Sequence, residues 1–116
     1  MKTMSYNSIS YNEFKKVDMR VGKIIEVEEF SRAKKSAYKL KIDFGSLGVK
    51  TSSAQITDLY SKEDLMERLI VAVVNFPPKN IAGFLSEVLV LGISDNNGSV
   101  ILLQPDRDAP PGSRVF

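Results

Sequence analysis

Two apolar runs organise the chain. Residues 69–74 read LIVAVV, six consecutive apolar side chains, and three valines with an isoleucine in so short a run predict a strand buried on both faces rather than a helix. Residues 88–91, VLVL, form the second run. Between them Pro77-Pro78 ends the first strand, because proline has no N–H for a ladder and holds its predecessor extended. Elsewhere the alternation is stricter. Leu40, Ile42 and Phe44 alternate with Lys39, Lys41 and Asp43, which predicts one inward and one wet face. Val17, Met19 and Val21 alternate in the same way with Asp18 and Arg20, and this strand is expected to continue through Gly22 to about Phe30. A glycine inside a strand marks the bend by which one long strand serves both halves of a small barrel.

Punctuation supplies the remaining elements. Ser10 and Glu13 have the spacing of a capping box, which predicts a short helical turn before the first strand. Residues 45–48, GSLG, join the strand ending at Phe44 to a third over 49–56. Ser61, followed by acidic residues, caps a second short helix predicted to end near Arg68. Strands are expected over 86–93 and 99–103, joined by the turn Asp95-Asn96-Asn97-Gly98. Residues 107–116, with Pro110-Pro111-Gly112, cannot stay regular for long. Three strands, a short helix and further strands is the order of the five-stranded oligonucleotide-binding (OB-fold) barrel. Another small barrel or a sandwich would fit the same pattern.

The expectation is an all-β chain forming one domain over residues 1–116, a five-stranded OB-fold barrel with one short helix between the third and fourth strands. Extensions lie at 1–13 and 104–116. Met4, Tyr6, Ile9 and Tyr11, with Val115, Phe116 and the neighbouring Ile101-Leu102-Leu103, exceed what one small core needs. They are expected to meet a second copy in a homodimer, or else to cap the barrel ends.

Composition removes whole classes of chemistry. A chain of 116 residues, 43% hydrophobic and 26% charged, is an ordinary globular domain. It has no cysteine and no histidine, so it lacks disulfides, thiolates and the commonest metal ligand and general base. Asp18, Asp43, Glu63, Asp64 and Glu87 have no nucleophile or ligand partner at a telling spacing, and the glycines form no phosphate-cradling loop. No enzyme activity, cofactor or metal is expected. No apolar run approaches the roughly 20 residues that span a bilayer, and residues 1–13 lack an apolar signal core. A cytoplasmic protein without membrane insertion is expected.

Charge distribution says more than its sum. The net charge is only +2, but residues 32–41, RAKKSAYKLK, carry five basic side chains and no acidic one. Lys34, Lys35, Lys39 and Lys41 are therefore candidates for phosphate contact. A solvated surface turn would have the same composition. Ser52, Ser53 and Gln55 on the third strand suit sugar, phosphate or base edges, or plain solvent. On an OB barrel the second and third strands and the adjoining loops form the nucleic-acid surface.

The string NFPPKNIAGFLSEVLVLG at 75–92 carries a resemblance. With VDMRVGKI at 17–24, YKLKIDFG at 38–45, SSAQITDLY at 52–60 and a closing PD...PPGSRV at 105–115, it resembles the tRNA-binding domain family, which occurs as a C-terminal appendix of some methionyl-tRNA synthetases and as small free-standing proteins. Within that family the resemblance is strongest to the CsaA-type export-related chaperones. It implies tRNA as ligand, a homodimer, and Asn75, Lys79, Ser86 and Glu87 as RNA-binding positions. Glu87 repels phosphate and is expected to orient a lysine or bond the loop backbone instead.

Where the synthetase appendices tend to read lysine-methionine, this chain has Asn80-Ile81, which loses a cation and pulls the resemblance toward the chaperone branch. There Phe76, Ile81, Phe84 and Leu85 become candidates to hold unfolded preprotein segments, with the export motor as a further partner. An accessory tRNA-delivery module for an aminoacyl-tRNA synthetase is the alternative. There is no tryptophan, and Tyr38, Tyr60, Phe76 and Phe84 are the aromatics able to reach a surface, although Phe84, like Phe44, suits the core. Recognition of RNA shape and backbone is therefore favoured over reading of bases.

Overall fold

The fold is built outward from β2 (Tyr38–Asp43), whose inward residues Tyr38, Leu40 and Ile42, with Phe44 just beyond, are buried. The structure is a computed structural model and describes residues 7–116. Met4 and Tyr6, part of the expected dimer contact, lie outside the described residues. A capping box opens α1 (Tyr11–Lys15) as expected, Ser10 Oγ accepting from Glu13 N–H and Glu13 accepting in return from Ser10 N–H. β2 pairs antiparallel with β1 (Met19–Glu29) on one side and β3 (Val49–Ala54) on the other. A 3-10 turn, Gly45–Leu47, joins β2 to β3.

β1 changes partner along its length. Met19 to Lys23 face β4 (Leu69–Val73), while Lys23 to Glu29 face β2 across a register shift between Ile24 and Glu26. Gly22 sits at the crossover, where a Cβ would come within 2.5 Å of Ile42 Cγ2 and 2.6 Å of Phe44 Cε1. Only glycine lets the strand lie this close to the core. The sheet runs β3-β2-β1-β4-β7, with β7 (Leu89–Val90) as its last strand. Its edges then meet: Glu87 N–H donates to Thr51 C=O at 2.8 Å, and Ser52 Oγ donates to Val88 C=O at 3.1 Å. The expected five-stranded OB-fold barrel results. Its helix, α2 (Lys62–Leu65), lies between β3 and β4 and sends the fully buried Leu65 into the core.

Several elements depart from the expectation. α2 ends at Leu65 rather than near Arg68, because Glu67 takes a left-handed φ of 64° and its N–H donates to Ile24 C=O at 2.8 Å. β1 begins at Met19, and Val17 is exposed. Asp18 and Arg20 are not on a wet face but half-buried beneath the C-terminal segment. The run at 69–74 is inward at Ile70, Ala72 and Val73, with Leu69 and Val71 half-covered.

The strand expected over 86–93 is broken, because Glu87 turns to β3 while Val88 enters the core. Its pieces are β6 (Phe84–Ser86), β7 and β8 (Gly92–Ser94). Residues 79–86, for which no strand was expected before residue 86, form a hairpin of β5 (Lys79–Ile81) and β6. Its turn has Ala82 and Gly83 at φ 49° and 85°, and Asn80 Oδ1 accepts from Gly83 N–H at 2.9 Å. β8 pairs with β9 (Val100–Leu102) around the predicted Asp95–Gly98 turn. The C-terminal segment lies along β1, with Gly112 N–H on Val21 C=O at 2.7 Å and Val115 N–H on Met19 C=O at 2.9 Å.

Candidate nucleic-acid interface

The loop between β1 and β2 is pinched at its base by Phe30 N–H donating to Ala37 C=O at 3.0 Å, so residues 31–36 project from the barrel. Arg32, Lys34 and Lys35 on it are exposed. The loop approaches the β5–β6 hairpin at two points. Phe30 and Phe84 meet edge to face with centroids 5.5 Å apart, and a Cβ on Gly83 would lie 3.5 Å from Arg32 Nη1. The hairpin carries the exposed Lys79 at its far end. Among the described residues none of Arg32, Lys34, Lys35 or Lys79 has a carboxylate within 4.0 Å. Four uncancelled cations thus occupy one loop and one hairpin. Unmatched positive charge of this kind attracts polyanions.

The other two predicted lysines are placed differently. Lys39 and Lys41 stand outward on β2, but β1 sets Glu28 and Glu26 opposite them. Their Nζ–Oε2 distances are 3.5 Å and 3.3 Å. Lys39 Nζ also lies 5.7 Å and 5.6 Å from the ring centroids of Phe30 and Phe84, which adds a cation–π hold on a charge already matched.

Several predicted polar contacts are occupied within the chain. Ser52, only 1% exposed, donates to Ser53 C=O as well as Val88 C=O. Ser53 N–H donates to Ser86 Oγ at 3.1 Å. Glu87 Oε1 accepts from Thr51 N–H at 3.0 Å and Thr51 Oγ1 at 2.9 Å. Asn75 Oδ1 accepts from Asp18 N–H at 3.0 Å and Nδ2 donates to Lys16 C=O at 2.6 Å. Asn75 therefore pins the end of β4 to the segment that leads into β1, while Ser86 and Glu87 close the barrel against β3. Gln55, beyond the end of β3, is exposed. Arg32, counted in the basic run but not named among the candidates, and Phe30 are additions, since only the fold brings them against Gly83 and Phe84.

An apolar groove of about 470 Å³ opens beside the hairpin. Phe76, Pro77, Ile81, Val88 and Leu89 line it beside Lys79 and Glu87. Phe76 and Leu89 are 51% and 49% exposed. Of the four predicted apolar contacts, Phe76 and Ile81 belong to this groove. Leu85 is exposed outside it, and Phe84 is half-buried against Phe30 rather than in the core.

At the opposite end of β1, Asp18 takes a 2.6 Å bond from Arg20 Nε and lies 3.6 Å from Arg114 Nε. The Arg20 hydrogen bond chiefly, and then the charges of Arg20 and Arg114, hold its carboxyl below the ordinary value although partial burial pushes the other way.

Residues 19–114 match the family described as "Putative tRNA binding domain". The chain is 36% identical over 107 residues to the methionine–tRNA ligase of Pyrococcus furiosus, covering 92% of this chain but only 14% of that enzyme. Among solved structures, the CsaA chaperone protein of Picrophilus torridus superposes with a TM-score of 0.88 at 55% identity, covering 94% of this chain and 100% of that one. The CsaA chaperone of Bacillus anthracis gives 0.89 at 50% identity over 95% and 100% of the two chains. With residues 19–114, nearly the whole barrel, matching that family, the chain belongs to the tRNA-binding domain family.

Proposed function

We propose that the protein is a structure-selective tRNA-binding protein that acts without catalysis in the cytoplasm, as a homodimer. The observation that carries this reading is the cluster of uncancelled cations Arg32, Lys34, Lys35 and Lys79 on the two elements that flank the OB surface. Projecting cations on rigidly based loops suit the phosphates of a folded RNA, and a thin aromatic inventory suits shape over sequence. One such cluster is small. Two-fold self-association through the N- and C-terminal extensions, 1–13 and 104–116, would present it twice to one tRNA and raise avidity without a new contact.

The test is filter binding of tRNA by wild type and Lys34→Ala/Lys35→Ala across a range of salt. Each lost phosphate contact is expected to flatten the logarithmic salt slope by about 0.9. An unchanged slope would remove the loop from the site.

A second activity is supported by the groove beside Phe76 and Ile81, whose apolar walls fit extended unfolded segments. The CsaA relatives are described as chaperones, and unfolded preproteins with the export motor are the partners this reading assigns. It predicts that near-stoichiometric protein suppresses aggregation of an unrelated unfolding substrate, and that Phe76→Ser weakens the effect while leaving tRNA binding intact. The alternative role, an accessory module delivering tRNA to an aminoacyl-tRNA synthetase, is favoured by the match to one seventh of a methionine–tRNA ligase and is read by co-purification with such an enzyme.

A further inference from the structure

The outer face of the barrel where β1, β2 and β3 run side by side is assembled from three cross-strand rows. Glu28, Lys39 and Ser53 form one row, Glu26, Lys41 and Thr51 the next, and Lys23, Asp43 and Val49 the third. Each row holds one cation, one carboxylate and one uncharged residue. In the first two rows the charges are in contact, at 3.5 Å and 3.3 Å. The hydroxyl of Thr51 is spent on Leu85 C=O and Glu87. On a barrel of this type the same face offers the track for an extended strand. Here the track has no net charge.

We infer that Glu26 and Glu28 are specificity-determining residues that screen Lys41 and Lys39 and so deny the sheet face to single-stranded nucleic acid. Binding is then left to Arg32, Lys34 and Lys35 on the projecting loop and Lys79 on the hairpin. An extended strand laid across the face gains nothing from Lys39 or Lys41, because each phosphate would meet a carboxylate at the same distance. A folded RNA bridges the raised elements and never needs the face. Selectivity for shape follows from charge removed as much as from charge supplied. This rests on the tRNA-binding reading and deepens it.

The test compares wild type, Glu26→Gln/Glu28→Gln and the charge-balanced variant Glu26→Gln/Glu28→Gln/Lys39→Gln/Lys41→Gln. The probes are tRNA and oligouridylate, each at two salt concentrations. Exposing two cations should raise oligouridylate affinity several-fold and steepen its salt slope by about 1.4, at about 0.7 per single-strand phosphate contact. The preference for tRNA over oligouridylate should fall. The charge-balanced variant should match wild type on both probes, since its face is neutral again. Unchanged oligouridylate affinity and slope in the double variant would overturn the inference, as would loss of tRNA binding in the charge-balanced one. Wild type that ignores tRNA would instead sink the tRNA reading, while the oligouridylate arm still reports on the screen.

Discussion

Glu87, expected from its charge to bond backbone rather than phosphate, does so as a clamp on β3. Its carboxylate accepts both Thr51 N–H and Thr51 Oγ1 where the barrel closes. Glu87→Ala leaves a half-buried backbone donor without a partner, a loss of about 1–3 kcal/mol, and should lower the urea midpoint with an unchanged m-value. Gly22→Ala is expected to cost a similar amount by overpacking against Ile42 and Phe44. Burial of Leu40, Ile42 and Phe44 was legible in the alternation alone, because a period of two has one inward solution there. The roles of Lys39 and Lys41 were not. Their screening partners lie on another strand, and the register shift between Ile24 and Glu26 that aligns them is not written in either strand's own pattern. Ser52 was misread for a related reason: a hydroxyl in a polar run looks wet unless its acceptor, Val88 C=O, is known.

Elements with local signals were read correctly and those defined by partners were not. The capping box of Ser10 with Glu13 formed as its spacing required, and Ser61 caps the second helix as expected, with Asp64 returning a bond to Ser61 N–H. Ser61→Ala should destabilise the protein by about 1 kcal/mol in chemical denaturation. The β5–β6 hairpin was hidden because its strands are three residues each and follow two prolines, leaving no periodicity to see. The packing of the C-terminal segment on β1 is likewise non-local, and the Asp18, Arg20 and Arg114 cluster helps hold it. Asp18 has a lowered folded pKa, so its stabilising contribution is complete above the ordinary carboxylate value of 3.8 and is lost as pH falls through the lower folded value. Asp18→Asn should therefore be less stable than wild type at pH 7, and the gap in urea midpoint should narrow by pH 3.

For the whole molecule, charge placement matters more than net charge. A chain of formal charge +2 keeps a neutral sheet face and carries four unmatched cations, Arg32, Lys34, Lys35 and Lys79, on the loop and hairpin beside it. The barrel was legible from element order. The division between screened and unscreened cations required the assembled sheet. Light scattering should return about twice the 12.9 kDa chain mass if the two-fold assembly forms. The most direct measurement is a titration of the full chain with tRNA and with an unstructured RNA of equal length at low and moderate salt, repeated for Lys34→Ala/Lys35→Ala. Tighter binding of tRNA, with a salt dependence that flattens in the variant, is the result expected. Equal affinity for both RNAs, or the same salt dependence with and without the loop lysines, would contradict the assignment of this loop as the grip on folded RNA.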